Sequence, residues 1–242
     1  MTKIFLLSIL IYNISISQVS TESIPKSMNH ILRENIIKHT MEPINIDQLH
    51  QEDEASYKET PFRFGYDIPV NIGLSDEDGW EVLDNGDKIW RVNIISNGAY
   101  SINIIYDIYD LPQGAELFIY SPNYEMILGA YTSDNNKEYG GMATSPIEGD
   151  EIIIEYNEPA DAIYTGELHI SHIIHGYKDV FFNKSRGYGD SGSCNNNVNC
   201  PEGDLWDNEI RAAAMILTSN GSRLCSGSMV NNVRQDLTPY FL

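Results

Sequence analysis

Lys88-Ile-Trp-Arg-Val-Asn-Ile-Ile95 and Ala99-Tyr-Ser-Ile-Asn-Ile-Ile-Tyr106 are the two runs that decide the fold. Each alternates apolar with polar side chains, the two-residue period of a half-buried sheet. Upstream, Asp84-Asn85-Gly86-Asp87 joins Trp80-Glu-Val-Leu83 to the first run, and Asn-Gly readily supplies the positive φ of a tight hairpin. Downstream, Ala115–Ser121, Met126–Tyr131, Gly149–Tyr156 and Gly166–Ile174 read as further strands, punctuated by Pro112, Gly114, Pro122, Gly129, Pro146 and Pro159. Many short strands with turn signals and no long helical period predict an all-β chain, with a β-sandwich of about eight or nine strands over residues 62–178.

The flanks read differently. Residues 1–17 have the form of a signal peptide: Lys3 supplies the positive end, Ile4 to Ile11 the apolar run, and Ser15-Ile16-Ser17 the small residues at a cleavage site between Ser17 and Gln18. That run falls short of the roughly 20 residues a membrane span needs, so a secreted product, extracellular or periplasmic, is expected. Residues 18–61 are polar and charged with isolated Ile and Leu. They read as a pro-segment or spacer in which only Asn29–Ile37 suggests a short helix. A basic, Gly-containing hinge follows the sandwich over 179–190, with Lys184 and Arg186 as the expected processing positions. Beyond it, Glu209–Thr218 and Arg223–Val230 read as strands within 191–242.

The chain carries 35 acidic against 15 basic residues, a net charge of −20. Such a surface repels phosphate backbones and anionic headgroups, which argues against nucleic-acid binding and, once a signal peptide is removed, against membrane binding. The three cysteines, Cys194, Cys200 and Cys225, all follow position 190. Their spacing without paired histidines is no zinc pattern, and an odd count in an exported chain leaves at least one without a partner within it. No cofactor and no metal are expected.

Several constellations invite a catalytic or ligand reading. Gly189-Asp190-Ser191-Gly192 has the form of a serine-nucleophile loop, but a nucleophile needs a base and an orienting group, and neither stands upstream in a recognisable motif. It is read as a loop. His169, His172 and His175 lie at helical spacing within a β-branched strand pattern; on a regular strand His172 faces opposite to the other two, so three ligands cannot converge. Asp76-Glu77-Asp78-Gly79 starts like a calcium loop, but Asp87 stands where the terminal Glu belongs. Asn183-Lys-Ser and Asn220-Gly-Ser fit the glycosylation sequon and receive no role.

The C-terminal motifs carry a family resemblance. Cys225-Ser226-Gly227-Ser228-Met229-Val230, followed by Pro239-Tyr240-Phe241-Leu242, resembles the strands leading into the catalytic histidine of trypsin-like serine proteases. Ser193-Cys194, Cys200-Pro201-Glu202-Gly203-Asp204 and Ile210-Arg211-Ala212 are similar to the secreted bacterial lysyl endopeptidases. Weaker similarities to the propeptide of those enzymes run through Arg63-Phe64-Gly65, Trp90-Arg91, Asn97-Gly98-Ala99, Leu111-Pro112, Ile119-Tyr120 and His175-Gly176-Tyr177. The resemblance implies a precursor: a β-sandwich propeptide domain over 62–178, then the first strands of a trypsin-like double β-barrel over 191–242. It implies a catalytic His in a Thr-Ala-x-His-Cys continuation past Leu242, so no catalytic residue is assigned here and the chain as given is expected to be inactive. It pairs Cys225 with the Cys after that His, and Cys194 and Cys200 with later cysteines. The partners it implies are protein or peptide substrates for the full-length enzyme, with the sandwich packing on its own protease domain.

Two other readings stand beside it. The sandwich also admits the lesser reading of a secreted binding module for carbohydrate or protein, with Trp80, Trp90 and tyrosines as an exposed platform; aromatics in alternating strands are more often core, and burial of those rings counts against it. The chain is also readable as a naturally truncated, non-catalytic secreted protein.

Overall fold

A computed structural model describes residues 20–56, 60–74, 79–181, 201–230 and 240–241. Strands dominate. In chain order they are β1 (Ile37–Thr40), β2 (Phe62–Arg63), β3 (Gly65–Gly73), β4 (Trp80–Val82), β5 (Lys88–Ile95), β6 (Ser101–Asp110) and β7 (Glu116–Tyr120). They continue as β8 (Ile127–Tyr131), β9 (Met142–Ala143), β10 (Ile147–Glu148), β11 (Glu151–Glu158), β12 (Glu167–Gly176), β13 (Ala213–Leu217), β14 (Ser222–Val230) and β15 (Tyr240–Phe241). Among the described residues two α-helices accompany them, α1 (Ile46–Ala55) and α2 (Asp207–Ala212).

One sheet runs β1-β5-β11-β7-β8, with β4 also on β5; the second runs β10-β6-β12-β3, with β9 also on β6. Their facing sides form one core. Trp90, Val92, Ile94, Leu117, Ile119, Ile152, Ile154 and Tyr156 come from the first sheet, and Ile72, Ile102, Ile104, Tyr106, Ile170 and Ile173 from the second. The alternation of the opening runs therefore has its expected meaning, and the chain is all-β in class. Trp90 is 1% exposed, so it belongs to this core rather than to an outer platform. Trp80 packs edge-on against Tyr156 and donates its Nε1–H to the carbonyl of Leu74 at 2.9 Å. The predicted turn is present, with Gly86 rather than Asn85 taking the positive φ (+88°). The N–H of Leu83 donates to Asp87 O at 2.8 Å, which closes a three-residue loop.

Three expectations fail locally. The polar residues of β5, Arg91 and Asn93, are buried although they face away from the core, because residues 20–34 lie across the outside of this sheet. Lys26 reaches Asp87 (2.6 Å), Ser27 N donates to Glu155 Oε1 (3.3 Å), and Arg33 N donates to Glu81 Oε2 (2.7 Å). The segment read as a spacer is thus built into the fold. Asn29–Ile37 forms no helix; Ile37 opens β1, which pairs in parallel with Val92–Ile95, and α1 follows, capped by the Asn45 side chain accepting from Gln48 N. Nearer the C-terminus, the predicted strand from Glu209 begins only at Ala213. Asp207 and Glu209 sit in the first turn of α2 and Arg211 in its last, which suits the helix dipole.

The histidines of β12 also differ from a regular strand. A bulge between Ile170 and His172 shifts the register, so His172 stands opposite Ile105 while His175 stands opposite core-facing Ile102. His169 and His172 consequently share the outer face, and His175 points inward. Pro69 lies opposite this bulge on β3, an edge strand, where its missing N–H costs the ladder least.

The C-terminal part forms a smaller sheet, β13-β14-β15, which β2 joins by pairing with β14.

Candidate functional site

The candidate site lies where the sandwich meets this smaller sheet, and it is built around Asp53 at the end of α1. Its Oδ1 accepts from Arg63 Nε (2.9 Å), while Oδ2 accepts from the Tyr177 hydroxyl (2.7 Å) and pairs with Lys178 Nζ (2.6 Å). Arg63 also pairs with Glu52 (3.1 Å) and donates to the Leu49 carbonyl (3.2 Å), which ties β2 to α1. The Tyr177 hydroxyl accepts from Arg63 Nε at 2.9 Å, so it bridges acid and base. The ring of Tyr177 is met edge-on by His50.

The electrostatics follow from this geometry. Burial opposes ionisation of Asp53, but the hydrogen bonds from Lys178, Tyr177 and Arg63 outweigh it and hold the carboxyl below its ordinary value. Burial and the neighbouring Asp53 carboxylate push the Tyr177 hydroxyl up, so it stays protonated and donates. A cleft of about 840 Å³ opens beside the cluster, lined in part by Glu52, Asp53, Phe62, Arg63, Lys178 and Asn220. Its carboxylate is committed to fixed donors, and that arrangement holds chain segments together rather than activating a nucleophile.

A second polar pair lies inside the sandwich. Ser96 Oγ and His175 Nδ1 are 2.7 Å apart, with the two residues 1% and 2% exposed. Burial lowers the histidine pKa, opposed by the charge of Asp150. A substrate cannot reach this pair, so the structure makes it a packing contact. His169 bonds to Asp107 and Asn71, and His172 to Ser171. Among the described residues no three His, Cys, Asp or Glu side chains gather as a metal site.

Of the residues singled out from the sequence, Cys225 is exposed on β14 opposite Ile216, with a free thiol. Ser17, Gln18, Lys184, Arg186, Ser191, Cys194, Cys200 and the Asp76–Asp78 run lie outside the described residues. Two motifs noted separately in the sequence prove to be one place: Gly65 pairs with Gly176, and the N–H of Tyr177 donates to Phe64 O at 3.1 Å. Asp53 and Lys178 were missed. Their only signal was charge, Asp53 in the segment read as a spacer and Lys178 at the last position of the sandwich.

The comparison with protein families falls on the other side of this seam. Residues 188–242 match the family model described as lysyl endopeptidase, C-terminal domain. That span contains α2 and the β13–β14 hairpin, and the match supports a protein related to the lysyl endopeptidases.

Proposed function

We propose that this chain is part of the precursor of a secreted serine endopeptidase of the lysyl endopeptidase type. In this reading residues 1–17 direct export and the sandwich is a propeptide domain. Residues 179–190 form the processing hinge, cut at Lys184 or Arg186, and residues 191–242 open the peptidase domain. The observation that carries the reading is the family match over 188–242, which covers the strands expected to lead toward the catalytic histidine. Peptide-bond hydrolysis by such an enzyme uses a serine nucleophile, a histidine base, an aspartate that orients it, and backbone N–H groups for the oxyanion. None of those roles is given to a residue of this chain. In this reading Cys225, whose thiol is exposed on β14, has a supporting role as one half of a disulfide staple.

The test compares this chain with the product of the same gene read on past Leu242, using lysine-containing peptide ester and amide substrates. The longer product is expected to hydrolyse them and to keep doing so after Ser191→Ala, while the chain as given is silent. Turnover by the present chain that disappears in Ser191→Ala overturns the reading and makes Gly189–Gly192 the nucleophile loop.

A further inference from the structure

Three parts of the chain meet at Phe64. Its N–H donates to the carbonyl of Gly221 at 2.8 Å, and the N–H of Gly65 donates to the same oxygen at 3.0 Å. On the other side, the carbonyl of Phe64 accepts from the N–H groups of Tyr177 and Lys178, each at 3.1 Å. Gly221 is the last residue of the turn between β13 and β14, where Thr218 N donates to Ser222 O at 2.8 Å. The sandwich therefore grips the tip of that hairpin through its backbone, and β2 continues the contact as an antiparallel neighbour of β14, with Ser222 opposite Arg63 and Arg223 opposite Phe62.

The approach depends on two glycines. A Cβ on Gly221 would lie 2.6 Å from the carbonyl oxygen of Gly65 and 3.0 Å from its Cα, and the φ of +75° independently disfavours any side chain there. Side chains then close over the backbone contact. The ring of Phe62 lies beneath two cations, 4.6 Å from Lys178 Nζ and 5.2 Å from the Arg223 guanidinium carbon, so a group from the sandwich and one from the hairpin share one aromatic face system. Asp53 fixes Lys178 and Arg63 at the base of this arrangement.

We propose that β2 is a docking strand: the sandwich holds the β13–β14 hairpin by strand addition at Gly65 and Gly221, and the two parts stay joined as a non-covalent complex after the hinge between them is cut. The idea rests on the precursor reading only for the existence of that cut. Strand addition supplies affinity through main-chain hydrogen bonds and specificity through the side chain beside them, here Phe62. In the intact chain the contact is intramolecular; cutting removes that advantage, and the Asp53 clasp and the cation–ring contacts must then hold the pieces.

The experiment places a recognition sequence for a site-specific protease within residues 183–190 of the full chain, cuts it, and follows the fragments by size-exclusion chromatography over a dilution series. Co-elution is expected. Phe62→Ala and Asp53→Asn, each checked for folding by circular dichroism, should separate at several-fold higher concentration than the unvaried pair. Gly221→Ala changes only the hairpin side, and it should weaken co-elution while leaving the thermal melt of the sandwich unchanged. Fragments that separate wherever the intact chain is monodisperse overturn the proposal. So does an unvaried pair that dissociates at the same dilution as all three variants. No activity is read, so failure here leaves the peptidase reading untouched.

Discussion

Asp53 presents one carboxylate to donors from three places: Arg63 on β2, Tyr177 just after β12, and Lys178 where the chain leaves the sandwich. Hydrogen bonds to a charged group contribute more than neutral ones, and removing the charge leaves the buried Tyr177 hydroxyl and the partly buried Arg63 and Lys178 competing for a weaker acceptor. Asp53→Asn is therefore expected to destabilise the fold by about 1.5–3 kcal/mol. Acid should act on the same site and on His175. Both have folded pKa values held below their ordinary ones, so each contributes stability that is present above its ordinary pKa and lost as pH falls through the folded one. The melting temperature should thus drop first below the ordinary histidine range and again below the carboxylate range. Asp87, held at about 2 chiefly by the hydrogen bond from Lys26, joins the second step. A melt followed against pH checks this, and Asp53→Asn should shrink the second step while sparing the first.

At the scale of elements, the strands most readable in the sequence were those whose two faces differ. Lys88–Ile95 was predicted with its observed bounds because Trp90, Val92 and Ile94 alternate with polar residues. β3 was not predicted, since Pro69 and the glycines at its ends mask the period of an edge strand. β1 and α1 were missed because a four-residue strand and a helix with Leu49 as its one buried residue give little apolar pattern. The site was less readable still. Arg63 and Tyr177 were noted as motif letters, but their meeting with Asp53 depends on how α1 packs, which no local pattern encodes. The outer face of β5, β11 and β7 shows what the N-terminal segment does. Glu155 is fully buried there, satisfied by the Tyr120 hydroxyl (2.9 Å), the Asn157 amide (3.2 Å) and the backbone N–H of Ser27 (3.3 Å). A fragment of residues 62–181 lacks Ser27, β1 and α1, leaving this carboxylate and the Arg91 edge uncovered. Its melting temperature should lie below that of 20–181 by roughly 10 °C, taking a loss of a few kcal/mol in a domain of this size. Calorimetry of the two fragments decides it; equal melts mean that the N-terminal segment contributes nothing to the sandwich.

At the scale of the whole molecule, the expected hinge over 179–190 falls in sequence between two strand-bearing parts that meet along Phe62–Gly65. The sequence reads as a loop there, and a loop enters a protease active site without breaking ladder hydrogen bonds, whereas a cut inside either sheet requires local unfolding. Limited proteolysis with a lysine-directed protease should therefore release fragments beginning just after Lys184, and an arginine-directed one should cut after Arg186. N-terminal sequencing reads the result directly, and a first cut within residues 80–174 would mean the boundary lies elsewhere. The N-terminal segment has a consequence for the order of events during synthesis. Thr21 exchanges backbone hydrogen bonds with Ala130, Ser27 reaches Glu155 and Arg33 reaches Trp80, so the first residues made wait for partners synthesised up to more than a hundred positions later. Contacts so distant along the chain form late, because loop closure must precede any stabilisation. The sandwich cannot be sealed until β11 has emerged, so the nascent chain stays open along the outer face of that sheet through most of its synthesis.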